Sequence, residues 1–320
     1  MNTNLVTVFG GSGFLGRHTV RALARAGWRI KVATRHPNVA FFLRPLGSVG
    51  QIDFVKCDVA EAEQVQHAVL GASAVINLTG ILFQKGQTFE DVQAEGAANI
   101  AQAAAAVGAT SLVHVSAIGA DAESDSGYAV TKAMGEAAVR EAFPTATILQ
   151  PSIIFGPEDS FFNKFAAMAR MFPALPLIGG GKTRFQPVFV GDVATAIVTA
   201  LKSPDAKGRT YELGGPTSYS FKELLELILR ETGRSRLLVP LPFGLAMFKA
   251  AFLQLLPNPL LTMDQVRLLK KDNVVSPTAA SLADLGITPT SVEAVVPSYL
   301  WRYRTKGEYA ADPREGLSPQ

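Results

Sequence analysis

One cysteine, Cys57, stands in 320 residues. An internal disulfide is therefore excluded, and this usage fits a reducing compartment. Charge is also scarce: charged residues make up 18% of the chain and the net charge is only +3. No stripe of Lys and Arg interleaved with aromatics occurs, so a nucleic-acid partner is not expected. The four histidines, His18, His36, His67 and His114, lack metal-ligand spacing, and no metal is expected. No stretch of about 18 apolar residues runs uncharged, so no spanning helix is expected. The most apolar stretch, 237–261, is broken by Pro240, Pro242 and Pro257 and carries Lys249. A strand pattern begins at Leu5, leaving no room for a targeting segment, and the expectation is a cytoplasmic chain.

What is abundant is apolar: 48% of the residues are hydrophobic, enough for a large core. Short β-branched runs at Leu5–Phe9, Arg29–Thr34, Ile52–Cys57, Ala74–Leu78, Ser111–Ser116 and Thr145–Gln150 alternate with helical patterns, clearest at 14–26, 89–107 and 126–143. Continuous apolar strands between helices predict an α/β fold, a Rossmann-type doubly wound parallel sheet covered on both faces. Cys57 sits in such a run, IDFVKCDV, and reads as a small core hydrophobe rather than a nucleophile. After Pro151 the rhythm changes. The organisation expected is a dinucleotide-binding domain over 1–155, with 186–215 returning to the sheet. Residues 156–320 form mainly a smaller, mostly helical C-terminal cap with helices near 160–171, 220–232, 243–256 and 262–271. The polar tail 306–320 is expected to fray.

Between the first strand and first helix the chain reads Gly10-Gly-Ser12-Gly13-Phe14-Leu15-Gly16-Arg17. Gly10 permits a tight turn, Gly13 lets backbone approach a pyrophosphate, and Gly16 lets the helix pack closely. Amides at the positive helix N-terminus then face the phosphates. The end of the second strand chooses the nucleotide. An NAD site wants a carboxylate there for the ribose 2′-hydroxyl. This chain instead offers Val32-Ala-Thr-Arg35-His36, and Arg35 can pair a 2′-phosphate by a charge-assisted fork. Arg17 is placed to add a second cation. NADP(H) is therefore the expected cofactor. Asp58, after the third strand, is placed to meet the adenine amino group, and Asn77-Leu78-Thr79-Gly80 lies where such sheets bind ligands.

Tyr128 and Lys132 form Y-x-x-x-K, and at i and i+4 they share one helix face. A tyrosine with an ordinary pKa near 10 needs an adjacent cation to transfer protons near neutrality. These motifs, in this order, resemble the short-chain dehydrogenase/reductase superfamily in its extended or atypical branch. That resemblance implies a hydroxyl residue polarising a substrate carbonyl after the fifth strand, directly following a hydrophobic-Ser pair. In His114-Val115-Ser116-Ala117 the position falls on Ala117. Ser116 would serve only with a register shift of one, which would normally turn it to the wrong face.

A second resemblance is more specific. The block from Ala142 through Phe143-Pro144, Pro151-Ser-Ile-Ile154-Phe155-Gly156, Glu158-Asp159 and Phe162-Asn163-Lys-Phe165, continuing at Gln186-Pro187-Val188, is similar to the nucleotide-binding accessory subunits of respiratory complex I. It runs from about residue 4 to 305. The resemblance implies a structural NADPH that is not turned over. It also implies peripheral docking on complex I subunits at the quinone/membrane junction, on the cytoplasmic face of a bacterial inner membrane. The cofactor contacts it implies are Gly10, Ser12, Gly13, Phe14, Leu15, Gly16, Arg17, Arg35, Asp58, Val59, Leu78, Thr79, Gly80, Ser116, Tyr128, Lys132, Pro151 and Ile154. Two alternatives stay open: a free-standing NADP-dependent reductase, dehydrogenase or epimerase using Tyr128 and Lys132, and an NADPH-sensing regulator. In 243–256 the pattern puts Met247, Phe248, Ala251, Phe252 and Leu255 on one side. That face has three readings: cap core, a docking face for a partner, or an interfacial helix lying in lipid headgroups with Arg267, Lys270 and Lys271 nearby.

Overall fold

The computed structural model describes residues 4–256, 259–305 and 307. Pro257 and the tail beyond Thr305, Gly307 apart, lie outside the described residues. The chain forms two compact units. The first comprises residues 1–151, 190–213 and 275–288, and the second 152–189, 214–274 and 289–320.

In the first unit, β1 (Leu5–Phe9), α1 (Phe14–Arg25), β2 (Arg29–Thr34), β3 (Ile52–Lys56), α2 (Ala62–Val69) and β4 (Ala74–Asn77) follow in turn. A π-helical turn at Glu90–Glu95 leads into α3 (Gly96–Ala106), then β5 (Ser111–Val115), α4 (Gly127–Ala142) and β6 (Thr147–Pro151). With the edge strand Thr210–Leu213 these make a seven-stranded sheet, ordered edge-β6-β5-β4-β1-β2-β3. Every pairing within it is parallel. Val6, Val8, Ile30, Val32, Val75, Ile76 and Val113 are all at most 1% exposed. Full burial of such side chains stabilises by about 1.5–3 kcal/mol each. This is the doubly wound order. The strand order reverses between β1 and β4, which opens a crevice at their C-terminal ends. The segment Val275–Thr288 joins this unit through Glu212, whose backbone N–H donates to Ala280 O at 2.8 Å and whose carboxylate accepts from Ser276 N–H at 2.7 Å.

The second unit is mostly helical. Phe221–Thr232 starts on a capping box of Ser220 and Glu223 and stops at Gly233, whose φ of +61° suits glycine. Met263–Leu268 opens on a second box, Thr262 with Gln265. Around these lie Phe162–Met171, Phe243–Leu253 and three small two-stranded pairings. Val188–Phe189 pairs with Ile154–Phe155 there, so of 186–215 the strand Thr210–Leu213 is the part that enters the large sheet. Phe155, Phe162, Phe185 and Phe221 centre the core. Asp159 is 2% exposed; it accepts from Phe162 N–H at 2.6 Å, Gly156 N–H at 3.2 Å and the Tyr299 hydroxyl at 2.6 Å.

Of the side marked out in 243–256, Phe248, Phe252 and Leu255 stay exposed while Met247 packs inward. The helix Phe243–Leu253 buries its small residues, Ala246 and Ala250, both 0% exposed. Phe248 and Phe252 stay 63% and 61% exposed and stack edge to face, 5.1 Å between centroids. Met247 packs against the core on the other side from them. The reason is spacing: an i, i+4 alanine seam allows close approach, and the phenylalanines, two residues on from each alanine, fall on the far side of the helix. No helix of the described residues is long and apolar enough to cross a membrane.

Candidate functional site

The crevice at the strand tips is a cleft of about 370 Å³. Its floor is the turn between β1 and α1. Gly10 has φ +76°, and a Cβ there would lie 3.0 Å from the Leu78 carbonyl carbon, so both conformation and the neighbouring strand demand glycine. At Gly16 a Cβ would lie 2.3 Å from Gly10 O and 2.5 Å from the Gly11 carbonyl, so α1 closes directly onto the turn. Gly13 is different. It is exposed, its N–H donates to Gly10 O at 3.0 Å, and a Cβ would meet only that oxygen, at 3.3 Å. As N-cap of α1 it supplies no side-chain acceptor, and the first helical turn carries no acid. The turn thus presents backbone amides at the positive end of a helix, an arrangement suited to an anion.

Gly10, Ser12, Gly13, Arg35, Asp58, Val59, Leu78, Thr79 and Gly80 all line the cleft. Phe14, Leu15, Gly16, Arg17, Ser116, Tyr128, Lys132 and Pro151 lie outside its lining, and Ile154 belongs to the second unit. The Arg17 guanidinium sits over the ring of Phe42, a residue of the cleft wall, 5.0 Å from its centroid. Sequence reasoning missed other wall residues: Val39 and Phe42 from the 3-10 segment Pro37–Leu46, His36, which precedes it, and Gln87. That segment has no helical or strand period, and Gln87 lies in a polar loop with no motif; their one signal is position after β2 and β4. Cys57 also lines the cleft, yet burial pushes its thiol up to about 12, aided by Asp58, so it carries no thiolate near neutrality.

Beside the cleft, Asn77 organises the strand tips. Its Oδ1 accepts from Thr79 N–H at 2.9 Å and Thr79 Oγ1 at 2.6 Å. Its Nδ2 therefore donates to His114 Nδ1, 3.1 Å away, which puts the ring proton on His114 Nε2. Burial, with Lys132 and Arg140 behind it, lowers the His114 pKa to about 3, so the ring is neutral. His114 Nε2 and Ser116 Oγ are buried without hydrogen-bond partners. Lys132 reaches back from α4 to the Val115 carbonyl at 3.2 Å and the Thr79 carbonyl at 3.5 Å. Tyr128 is half-buried against Phe89, 6.0 Å between ring centroids.

Burial pushes the Lys132 ammonium down to about 8, opposed by Glu136. The unfolded chain keeps that proton to near 10.4, so between these values the unfolded state binds more protons and folding gains stability as pH rises. The parent protein is therefore expected to gain on the order of 3 kcal/mol between pH 8 and pH 10.5 relative to Lys132→Met. Urea unfolding of both proteins across that range checks it; parallel stability curves would refute a depressed lysine.

Fold and glycine turn together define the class: the chain belongs to the NAD dependent epimerase/dehydratase family, whose sequence pattern matches residues 6–214. Within the described residues no group of three or more His, Cys, Asp or Glu is placed to hold a metal. The solved dTDP-glucose 4,6-dehydratase DesIV of Streptomyces venezuelae, with NAD and TYD bound, shares the fold. Its TM-score is 0.72 at 19% identity, over 93% of this chain and 96% of that one. Ceramide reductase of Caulobacter vibrioides is 36% identical over 203 residues, 62% of each chain. The likeness to the mouse (Mus musculus) protein NADH dehydrogenase (ubiquinone) 1 alpha subcomplex subunit 9, mitochondrial, is longer: 38% over 305 residues, 94% of this chain and 81% of that one. The particular family is thus that of the alpha subcomplex subunit 9 proteins.

Proposed function

We propose that the chain is an NADP(H)-binding accessory subunit of an NADH:quinone oxidoreductase, complex I, whose cofactor is structural and not turned over. The observation that carries this reading is the likeness to subunit 9 over 94% of this chain and 81% of that one. The cleft fits the adenosine side of a dinucleotide: the N-terminal amides of α1 for the pyrophosphate, Asp58 for the adenine amino group, Arg35 for a 2′-phosphate. The nicotinamide end would lie toward Thr79, Gly80 and Lys132. When bound, the cofactor supplies hydride chemistry. Turnover is opposed by Ala117 at the position of the polarising hydroxyl and by the burial of Ser116, 4% exposed. The subunit sits peripherally at the quinone/membrane junction, on the cytoplasmic face of a bacterial inner membrane. The exposed Phe248 and Phe252 support contact with a membrane surface or a neighbouring subunit there.

Native mass spectrometry of membrane extracts tests this. The chain is expected to carry NADPH and to be released with complex I subunits; a monodisperse protein without membrane-bound partners would sink the assembly reading. A second reading, a free-standing NADP-dependent reductase, is favoured by the lowered Lys132 beside Tyr128 and by the likeness to ceramide reductase. Bound NADPH is expected to resist oxidation by carbonyl substrates. Steady turnover that Tyr128→Phe abolishes would establish the second reading instead.

A further inference from the structure

We propose that Gln87 is a specificity-determining residue of this cleft, a neutral spacer that keeps Asp58 off Arg35 and so leaves the guanidinium to read an adenosine 2′-phosphate. The proposal rests on the nucleotide reading above. Thr34 and Lys56 are register partners in the parallel β2–β3 pair, so Arg35 and Asp58 emerge close to the tips of adjacent strands. A guanidinium and a carboxylate placed so would form a direct, charge-assisted pair. Arg35 would then be occupied before any phosphate arrived.

The amide of Gln87 stands between them. Its Oε1 accepts from Arg35 Nη1, and its Nε2 donates to both carboxylate oxygens of Asp58, at 2.8 and 3.0 Å. Each end of the amide matches the charge it faces; flipped, it would match neither. Asp58 is fixed from its other side, with Oδ1 accepting from Ala60 N–H at 3.2 Å and its own N–H donating to Gln64 Oε1 at 3.0 Å. Gln87 itself is not on a loose arm. The next residue, Thr88, donates its N–H to Asp91 Oδ2 at 2.8 Å, and its hydroxyl accepts from Asp91 N–H at 3.1 Å, which ties the loop to the π-helical turn.

The charge logic separates two nucleotides. A phosphate monoester carries about −1.5 to −2 charge, so an uncovered Asp58 would repel it, whereas two N–H bonds from Gln87 offset that field. Arg35 loses only a neutral acceptor when it turns to the phosphate and gains a charge-assisted fork. A 2′-hydroxyl offers Arg35 no such gain, so the spacer matters to NADPH and hardly to NADH.

The test compares NADPH and NADH affinities by isothermal titration calorimetry for the full chain and for Gln87→Glu, a nearly isosteric change in an exposed loop. The carboxylate so introduced would pair with Arg35 and stand as a second negative charge beside Asp58. The Kd for NADPH is expected to rise about tenfold or more, with NADH changed less than about twofold. Gln87→Leu, which removes both polar contacts, is expected to shift the same ratio in the same direction, and adenosine 2′-phosphate should compete less well against either variant. If both variants leave the NADPH/NADH ratio unchanged while Arg35→Asp still alters it, the spacer is refuted and the cleft reading stands. If Arg35→Asp also leaves the ratio unchanged, or the unaltered chain binds neither nucleotide, the cleft reading itself falls.

Discussion

Arg35→Asp is expected to weaken NADPH binding about 100-fold while leaving NADH within about threefold of the parent. The estimate follows from what the substitution removes and adds. A charge-assisted hydrogen bond contributes about 1.5–3 kcal/mol, and the new carboxylate lies where a 2′-phosphate would repel it. The same carboxylate would instead accept from a ribose 2′-hydroxyl, the arrangement of NAD sites. Arg35 is exposed and its hydrogen bond is to Gln87, so the fold has no stake in it. Calorimetric titration of both nucleotides decides the matter. Equal weakening of the two would take Arg35 out of the 2′-phosphate site.

Gly16→Ala is expected to unfold the first unit's floor rather than merely empty it. Its Cβ would press on backbone at 2.3–2.5 Å, where nothing flexible can yield. Overpacking of this kind costs about 3 kcal/mol, a fall in melting temperature of roughly 6–12 °C. Gly13→Ala should behave oppositely, because its Cβ meets one oxygen at 3.3 Å and otherwise points to solvent. Thermal melts together with nucleotide titration separate the two duties. A Gly16→Ala protein that melts with the parent would show that α1 can slide, and the argument for a rigid amide cradle would fail.

Much of the first unit was legible in the chain. β1 and β2 run over the predicted residues, Leu5–Phe9 and Arg29–Thr34, short runs rich in β-branched residues that carry the buried positions of a parallel sheet. The helix predicted over 89–107 is in fact a π-helical turn at Glu90–Glu95 followed by α3. That turn packs closely on α4: at Gly135 a Cβ would come within 2.1 Å of Gln93 O, a closeness that periodicity cannot register. The two-residue strands of the second unit were illegible for want of length. Val275–Thr288 joins the first unit through hydrogen bonds to Glu212, a contact between residues too far apart for any window to see. In the cleft, the glycines, Arg35 and Asp58 could be read because each answers a stated chemical need at a strand tip. Gln87 could not, since an amide in a loop acquires meaning only from the two charges it is folded between.

The helix Phe243–Leu253 inverts the usual map of mutational tolerance. Phe243 packs against the core, whereas Phe248 and Phe252 lie open to change as far as folding is concerned, since most of each side chain is exposed. The alanines do not. Adding even a methyl group at Ala246 or Ala250 would wedge the helix off the second unit's core, so selection for folding falls on the least conspicuous residues in the segment. The rings at 248 and 252 therefore add little to the stability of the chain itself.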